Sequence, residues 1–369
     1  MTDNRPHNAA FAPIPVKRID YIELYVGNVY QAAHFYRTAY GFTQVAFSGL
    51  ETGNRNAASV VLEQDDIRLV LTGPLGAESD IAARIKLRGD AVKDIAFEVD
   101  DVALAFEAAV KRGARPVMEP AVLEDEQGRV VKSVVGAFGD TVHSLIQRDG
   151  KATGFLPGYQ ASGSTTANTN ADLESIDHVA ICVDKGSLDE WTDFYKTVFG
   201  FFQSHQEDVW TDYSAMNSKV VQNETGSVKF PILEPAEGKR KSQIEEHLSF
   251  NGGPGVQHIA FSSSNIVRSV ETLRRGGTQF LTAPKTYYEM LERRIGRIDE
   301  GIESLQKENI LVDRDEWGYL MQIFTRPVHT RPTLFLEIIQ RKRARGFGGG
   351  NIRALFQAVE QEQLLRGTL

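Results

Sequence analysis

The strongest constraint on this chain is an internal repeat, because two copies of one segment order build two copies of one architecture. Near the start stands Ile19-Asp20-Tyr21-Ile22-Glu23-Leu24-Tyr25-Val26, followed by an apolar-periodic segment through Tyr36 to Gly41-Phe42. Later comes Ile176-Asp177-His178-Val179-Ala180-Ile181-Cys182-Val183, followed by Trp191, Phe194, Tyr195 and Val198 at helical spacing and then Gly200-Phe201. Alternation and β-branched content make the leading segments strands. A second match sets Val92-Lys93-Asp94-Ile95-Ala96-Phe97 against Val256-Gln257-His258-Ile259-Ala260-Phe261, each ahead of an amphipathic stretch. A looser third sets His143-Ser144-Leu145-Ile146-Gln147-Arg148 against Glu337-Ile338-Ile339-Gln340-Arg341. Each half is therefore expected to hold paired βαβββ units whose strands curve around a pocket.

The repeat also exposes an asymmetry. Side chains alternate across a strand, so His178 shares a face with Ala180 and Cys182, and His258 with Ala260. Glu337 shares its face with Phe335 and Ile339, and a carboxylate so placed is costly to bury unless it is paired or metal-bound. At the matching places the first half has Tyr21, Asp94 and Ser144. All three metal-capable residues thus fall in one half. Two imidazoles and a carboxylate form a facial triad suited to iron(II), with positions left for a bidentate ligand and oxygen. A lone strand histidine is more often a core or surface residue, and His34, His143, His205, His247 and His329 are assigned to that class. For Glu337 alone, a salt bridge to a nearby arginine is the plain alternative.

A chain of 369 residues suits two domains better than one core. Its 41 basic and 49 acidic residues give a net charge of −8, which argues against a nucleic-acid partner. The single cysteine, Cys182, excludes an internal disulfide and fits a reducing, cytoplasmic compartment. No apolar run approaches a membrane span. Residues 1–16 are expected to form a disordered arm, 17–150 a structural domain, 151–172 a Ser/Thr/Asn/Gly-rich linker, and 173–369 the metal-bearing domain. The glycines from Gly346 to Gly350 lead into a helix over about residues 352–365, where Leu355, Phe356, Val359 and Leu364 form a partial apolar stripe. Such glycines suggest a hinged lid or a simple loop.

From Lys17 onward the chain resembles the 4-hydroxyphenylpyruvate dioxygenase and 4-hydroxymandelate synthase family. The motifs are Asp177-His178-Val179-Ala180, Gly255-Val256-Gln257-His258-Ile259-Ala260, Gln322-Ile323-Phe324-Thr325, Phe335-Leu336-Glu337-Ile338-Ile339, and Gly346-Phe347-Gly348 with Asn351. Lys241-Ser242-Gln243-Ile244 and Asn217-Ser218-Lys219-Val220-Val221 match as well. The resemblance implies an α+β fold of two tandem vicinal-oxygen-chelate domains closed by a C-terminal lid helix. It implies Fe(II) on His178, His258 and Glu337, with 4-hydroxyphenylpyruvate and O2 as reactants and no catalytic residue beyond the metal ligands. By position, Ser218, Gln243 and Gln322 would line the substrate cavity, Phe324 and Phe347 would wall the aromatic ring, and Phe335, Leu233, Asn351 and Ile352 would complete the pocket. A homo-oligomer is open; a membrane partner is not expected.

Two products are possible within the family: homogentisate from ring attack, or 4-hydroxymandelate from benzylic attack. The homogentisate formers typically carry Asn where this chain has Leu233, and Phe where it has Ile352. Both departures, and Ala215-Met216-Asn217-Ser218, resemble the mandelate synthases; Pro231 and the Gly346–Gly350 glycines look more like the homogentisate formers. The expectation is the synthase, with the homogentisate-forming dioxygenase as the alternative. The same fold hosts glyoxalases, extradiol dioxygenases and non-catalytic binding proteins. The sequence shows no fourth protein ligand for a glyoxalase and no additional base histidines for an extradiol enzyme, and a binding protein needs no triad.

Overall fold

A computed structural model describes residues 12–150, 154–163, 171–283 and 285–368 of the chain. The first half contributes strands β1 (Val16–Tyr25), β2 (Thr43–Ser48), β3 (Ala57–Gln64), β4 (Ile67–Pro74), β5 (Ala91–Val99), β6 (Pro116–Asp125), β7 (Gly128–Gly136), β8 (Val142–Arg148) and β9 (Gln160–Ala161). Its helices are α1 (Val29–Tyr40), α2 (Asp80–Arg88) and α3 (Val102–Lys111). The second half contributes β10 (Leu173–Cys182), β11 (Phe202–Trp210), β12 (Ala215–Gln222), β13 (Lys229–Ala236), β14 (Gly255–Ser263), β15 (Leu311–Arg314), β16 (Tyr319–Phe324) and β17 (Phe335–Lys342). Its helices are α4 (Leu188–Phe194), α5 (Gln243–Asn251), α6 (Ile266–Arg275), α7 (Lys285–Glu289), α8 (Leu291–Ile295), α9 (Ile302–Glu308) and α10 (Gly349–Arg366).

The repeat is visible in the pairing. One sheet runs β6-β7-β8-β5-β1-β4-β3-β2-β9, and the other runs β11-β12-β13-β10-β14-β17-β16-β15, the same order read backwards. In each, the leading strand (β1 or β10) lies parallel to one neighbour and antiparallel to the other. Tyr21 sits opposite Ala96 as His178 sits opposite Ala260. Asp94 sits beside Val142 as His258 sits beside Phe335, which carries Ser144 to the place of Glu337. The loosest of the three sequence matches is thus in register.

Local signals set the element ends. Asn28 caps α1 by accepting from the Gln31 N–H, and Gly41 ends it at φ 79°, a left-handed value that favours glycine. Ser242 and Glu245 form a reciprocal capping box that fixes the start of α5, and with it Gln243 in the first turn. Where the aromatic run predicts a single helix, α4 gives way to a π-helical turn at Tyr195–Phe199. One apolar cluster runs through both halves, with Phe42 against Phe261 (ring centroids 6.0 Å apart) and Phe97 against Phe199 (5.4 Å).

Three sequence expectations need correction. The proposed arm and linker lie partly outside the described residues (1–11, 151–153 and 164–170). Their described parts are structured. Ile14 is buried and donates its N–H to the Phe199 carbonyl at 3.1 Å, tying the chain start to the second half. Phe155 and Leu156 are buried against Tyr21, Val61 and Ile146, and Gln160–Ala161 pairs with β2. Apolar residues within a polar stretch found a sheet to cover. The final helix starts at Gly349 rather than 352, and Leu364 is 46% exposed, so the buried face runs through Asn351, Leu355, Phe356, Glu360 and Gln363 instead. Among the described residues no helix is long and apolar enough to cross a membrane.

Candidate metal centre

His178 on β10, His258 on β14 and Glu337 on β17 converge inside the second curved sheet. Their nearest atoms form an almost equilateral triangle: His178 Nε2 to His258 Nε2 is 3.3 Å, His178 Nε2 to Glu337 Oε2 is 3.3 Å, and His258 Nε2 to Glu337 Oε2 is 3.4 Å. Three ligands on one face of an ion with bonds of about 2.1 Å would stand roughly 3 Å apart, so this donor set fits a metal. Among the described residues it is the one cluster of His, Cys, Asp or Glu able to surround an ion. All three side chains are buried. The arginine alternative for Glu337 fails on geometry, since Arg341 binds elsewhere.

The surroundings orient each ligand. Asp177 Oδ1 lies 2.8 Å from His178 Nδ1, and Gln257 Oε1 lies 3.2 Å from His258 Nδ1. Each histidine is thus held by the residue before it, which turns its Nε2 toward the centre. Gln322 Nε2 donates to Glu337 Oε1 at 2.8 Å, leaving Oε2 for the ion. That bond fixes the Gln322 amide, whose Oε1 then accepts from Asn351 Nδ2 at 2.9 Å. Tyr287 Oη completes the chain, 2.7 Å from the Asn351 side-chain amide. Burial and neighbouring His178 hold the His258 imidazole well below its usual pKa. Burial opposes a proton on His178 too, but the Glu337 and Asp177 carboxylates outweigh it and raise its pKa. Buried Asp177 stays ionised, far below its ordinary value, because Arg341 outweighs the burial.

Beside the triad lies a cavity enclosing about 560 Å³ of empty space, part of it open to solvent. Ser218, Leu233, Gln243, Gln322, Phe324, Phe347 and Ile352 line it. The Phe347 ring centroid is 5.2 Å from that of His178, and Phe324 stands 6.3 Å from His258. Two expected lining residues are placed differently. Phe335 stacks on the outer face of His258 at 4.8 Å and 24°, outside the cavity lining. Asn351 is fully buried and spends its amide on Gln322 and Tyr287. The glycines at the start of the final helix serve close approach rather than slack. A Cβ on Gly348 (φ 73°) would lie 2.7 Å from Gln322 Oε1, and one on Gly349 would lie 2.0 Å from Glu207 Oε1.

Sequence reasoning missed several cavity residues: His205 and Glu207 on β11, Met216 and Val220 on β12, Pro231, Gln257 and Leu355. His205, assigned to the core-or-surface class, is 39% exposed and also borders this cavity. The missed signal was alternation, since His205, Glu207 and Val209 share one face of β11. The matching place in the first half is closed. There Tyr21 Oη donates to Asp94 Oδ2 at 3.1 Å, and Ser144 donates to Asp94 from its N–H (2.9 Å) and its hydroxyl. Phe155 packs edge-on over Tyr21 at 5.3 Å. A hydrogen-bonded knot under an aromatic cover stands where the second half keeps a cavity.

Fold and site together define a vicinal-oxygen-chelate enzyme with a candidate metal site in one half. Family comparison agrees, matching residues 18–146 and 175–323 to the glyoxalase/bleomycin resistance protein/dioxygenase superfamily. The chain is 42% identical to 4-hydroxyphenylpyruvate dioxygenase of Coccidioides posadasii, over 95% of this chain and 94% of that protein. It is 42% identical to the dioxygenase of the same description from Yarrowia lipolytica, over 95% and 93%. Among solved structures, a triple variant of 4-hydroxymandelate synthase from Streptomyces coelicolor superposes with a TM-score of 0.87 at 37% identity, covering 95% of this chain and all of that one. The chain belongs to the 4-hydroxyphenylpyruvate dioxygenase family, and it is an enzyme of the dioxygenase class.

Proposed function

We propose that this enzyme oxidatively decarboxylates 4-hydroxyphenylpyruvate and hydroxylates the benzylic carbon, giving 4-hydroxymandelate. The observation that carries the choice of product is the apolar pair Leu233 and Ile352. Both line the cavity and pack with Met216 and Phe356 in one cluster. An amide at the first position would anchor the ring end of the substrate, and an aromatic at the second would wall it. Without them the ring is free to turn, and the benzylic carbon becomes the nearer target. A barrier difference of about 1.4 kcal/mol suffices to change a product ratio tenfold. The second reading, homogentisate formation, is favoured by the relatives in sequence, which are described as 4-hydroxyphenylpyruvate dioxygenases.

Ferrous iron held by His178, His258 and Glu337 would supply the point where keto acid and dioxygen meet. The protein's own residues do the rest. Asp177 and Gln257 hold the two imidazoles in the tautomer that presents Nε2 inward. Gln322 keeps Glu337 turned, so its second oxygen does not swing into the cavity. Phe324 and Phe347 flank the space beside the triad, where an aryl group can stack. Leu355 and Ile352, from the final helix, cover that space and exclude water. The decisive experiment incubates the protein with Fe(II), ascorbate, O2 and 4-hydroxyphenylpyruvate and resolves products by chromatography. 4-Hydroxymandelate supports this reading; homogentisate as sole product overturns it, and no carbon dioxide release overturns the substrate as well.

A further inference from the structure

We infer that His205 and Glu207, on edge strand β11, form the site that reads the para-hydroxyl group of the aryl keto acid. This rests on the proposed substrate and extends it to two residues that no comparison assigns. Their side chains face the cavity, while the alternate residues Gln206 and Asp208 line a separate exterior hollow with Asn217 and Lys219. The strand therefore presents His205 and Glu207 inward by its pleat.

The register fixes what lies around them. Glu207 pairs with Ser218, which pairs with Leu233; His205 pairs with Val220, which pairs with Pro231. On this wall Leu233, Val220 and Pro231 offer no polar side chain. Ser218 Oγ spends its one proton on the Glu207 carbonyl at 2.6 Å and keeps acceptor capacity only, so it can assist a phenolic O–H but cannot donate to it. His205 and Glu207 remain, their Nε2 and Oε2 a long 3.5 Å apart, with hydrogen-bonding capacity left for a ligand. The Glu207 carboxylate is held in place from behind, because it abuts Gly349 in the first turn of α10. The helix N-terminus, where Gly350 N–H also donates to Asp313 Oδ2 at 2.7 Å, favours negative charge nearby.

Phe347 gives the scale. Its ring centroid is 5.2 Å from His178 and 6.3 Å from His205, so one aromatic ring separates the metal ligand from the β11 wall. A keto acid bound through its two oxygens at the triad carries its ring along Phe347. Its para-hydroxyl then projects toward β11, where the Glu207 carboxylate accepts a hydrogen bond from it and His205 completes the contact. His205 and Glu207 are 39% and 24% exposed before a ligand arrives, and a substrate that covers them without offering a hydroxyl would take away water and leave their polar groups unpaired.

The test compares 4-hydroxyphenylpyruvate with phenylpyruvate in the iron-loaded enzyme, using wild type, His205→Ala and the shape-preserving Glu207→Gln. Both steady-state kcat/KM and anaerobic calorimetric binding are read. The preference for the hydroxylated substrate is expected to fall about ten- to a hundredfold in each variant. A preference within twofold of wild type in both variants overturns the inference, because a packing or lid role would weaken both substrates alike. If wild type releases carbon dioxide from neither substrate, the functional reading beneath it fails instead, and this inference falls with it.

Discussion

Arg341 grips both carboxylate oxygens of Asp177, with Nε 2.7 Å from Oδ2 and Nη2 2.9 Å from Oδ1. Asp177 in turn holds His178 Nδ1, while the third guanidinium nitrogen of Arg341, Nη1, donates to the Gly346 carbonyl at 2.6 Å. The same guanidinium lies 5.2 Å from the Phe347 ring. One side chain thereby joins His178 of the triad, through Asp177, to the segment that leads into the final helix. A bidentate pair of this kind is specific to arginine, since lysine offers a point charge without the fork.

Replacing Arg341 should therefore be felt at the metal. Arg341→Met leaves the Asp177 charge buried with only Lys229 nearby, at 3.8 Å. Iron affinity is expected to fall about 10- to 100-fold, the usual cost of losing an outer partner of a ligating histidine. Competition with a colorimetric chelator measures it. Unchanged affinity would show that Asp177 orients His178 without help.

Product choice should follow the two apolar positions. Leu233→Asn combined with Ile352→Phe restores an amide and an aromatic wall, and the homogentisate share of product is expected to rise at least tenfold, equivalent to about 1.4 kcal/mol. Chromatographic product ratios at matched turnover decide it. An unmoved ratio would mean that other residues of the cavity set the outcome.

The final helix is latched at its far end. Buried Glu246 on α5 accepts from Arg366 Nη2 at 2.7 Å and also from the Thr368 hydroxyl. Arg366→Ala leaves that carboxylate without its cation, at a cost of about 1–2 kcal/mol once the partial exposure of the arginine is counted. Faster amide exchange confined to the C-terminal turns of α10 is the expected result, and exchange identical to wild type would contradict it.

Acid should loosen the joint between the halves. His143 on β8 donates Nδ1–H to the Ile95 carbonyl at 2.8 Å and accepts at Nε2 from Tyr195 Oη at 2.9 Å. Burial lowers its pKa to about 4. Because the folded value lies below the unfolded one, the neutral form's stability is complete above about pH 6.5 and is lost as pH falls toward 4. The full effect is of order 3 kcal/mol. His247 is likewise lowered to about 4, so His143→Phe should flatten the pH dependence of urea unfolding only in part. An unchanged slope between pH 6.5 and 4 would remove His143 from this account.

The reach of the sequence is clear from particular residues. The triad was legible because each ligand sits in a strand whose neighbours repeat, and because a carboxylate between Phe335 and Ile339 has few other reasons to be buried. The shared architecture of the two halves was legible for the same reason, down to Tyr21, Asp94 and Ser144 at the three matching positions, whereas the strand order of the sheets was not. What the repeat could not convey was contact across the curve of a sheet. His205 and Glu207 read as ordinary polar residues on an edge strand, since alternation gives a face but not what that face looks at. Phe335 and Asn351 shared motifs with cavity residues, yet one backs His258 and the other steadies Gln322, a difference of side-chain direction alone. Phe155 and Leu156 lay inside a polar stretch whose composition hid the surface they cover.

The central claim is that three side chains from separate strands bind one ferrous ion. It is tested most directly by measuring iron per chain in protein reconstituted anaerobically and freed of excess metal, for wild type and for His178→Ala, His258→Ala and Glu337→Ala. The account predicts close to one equivalent in wild type and a loss of most of it in each variant, with the fold retained by circular dichroism. Iron retained at wild-type stoichiometry in all three variants would contradict it.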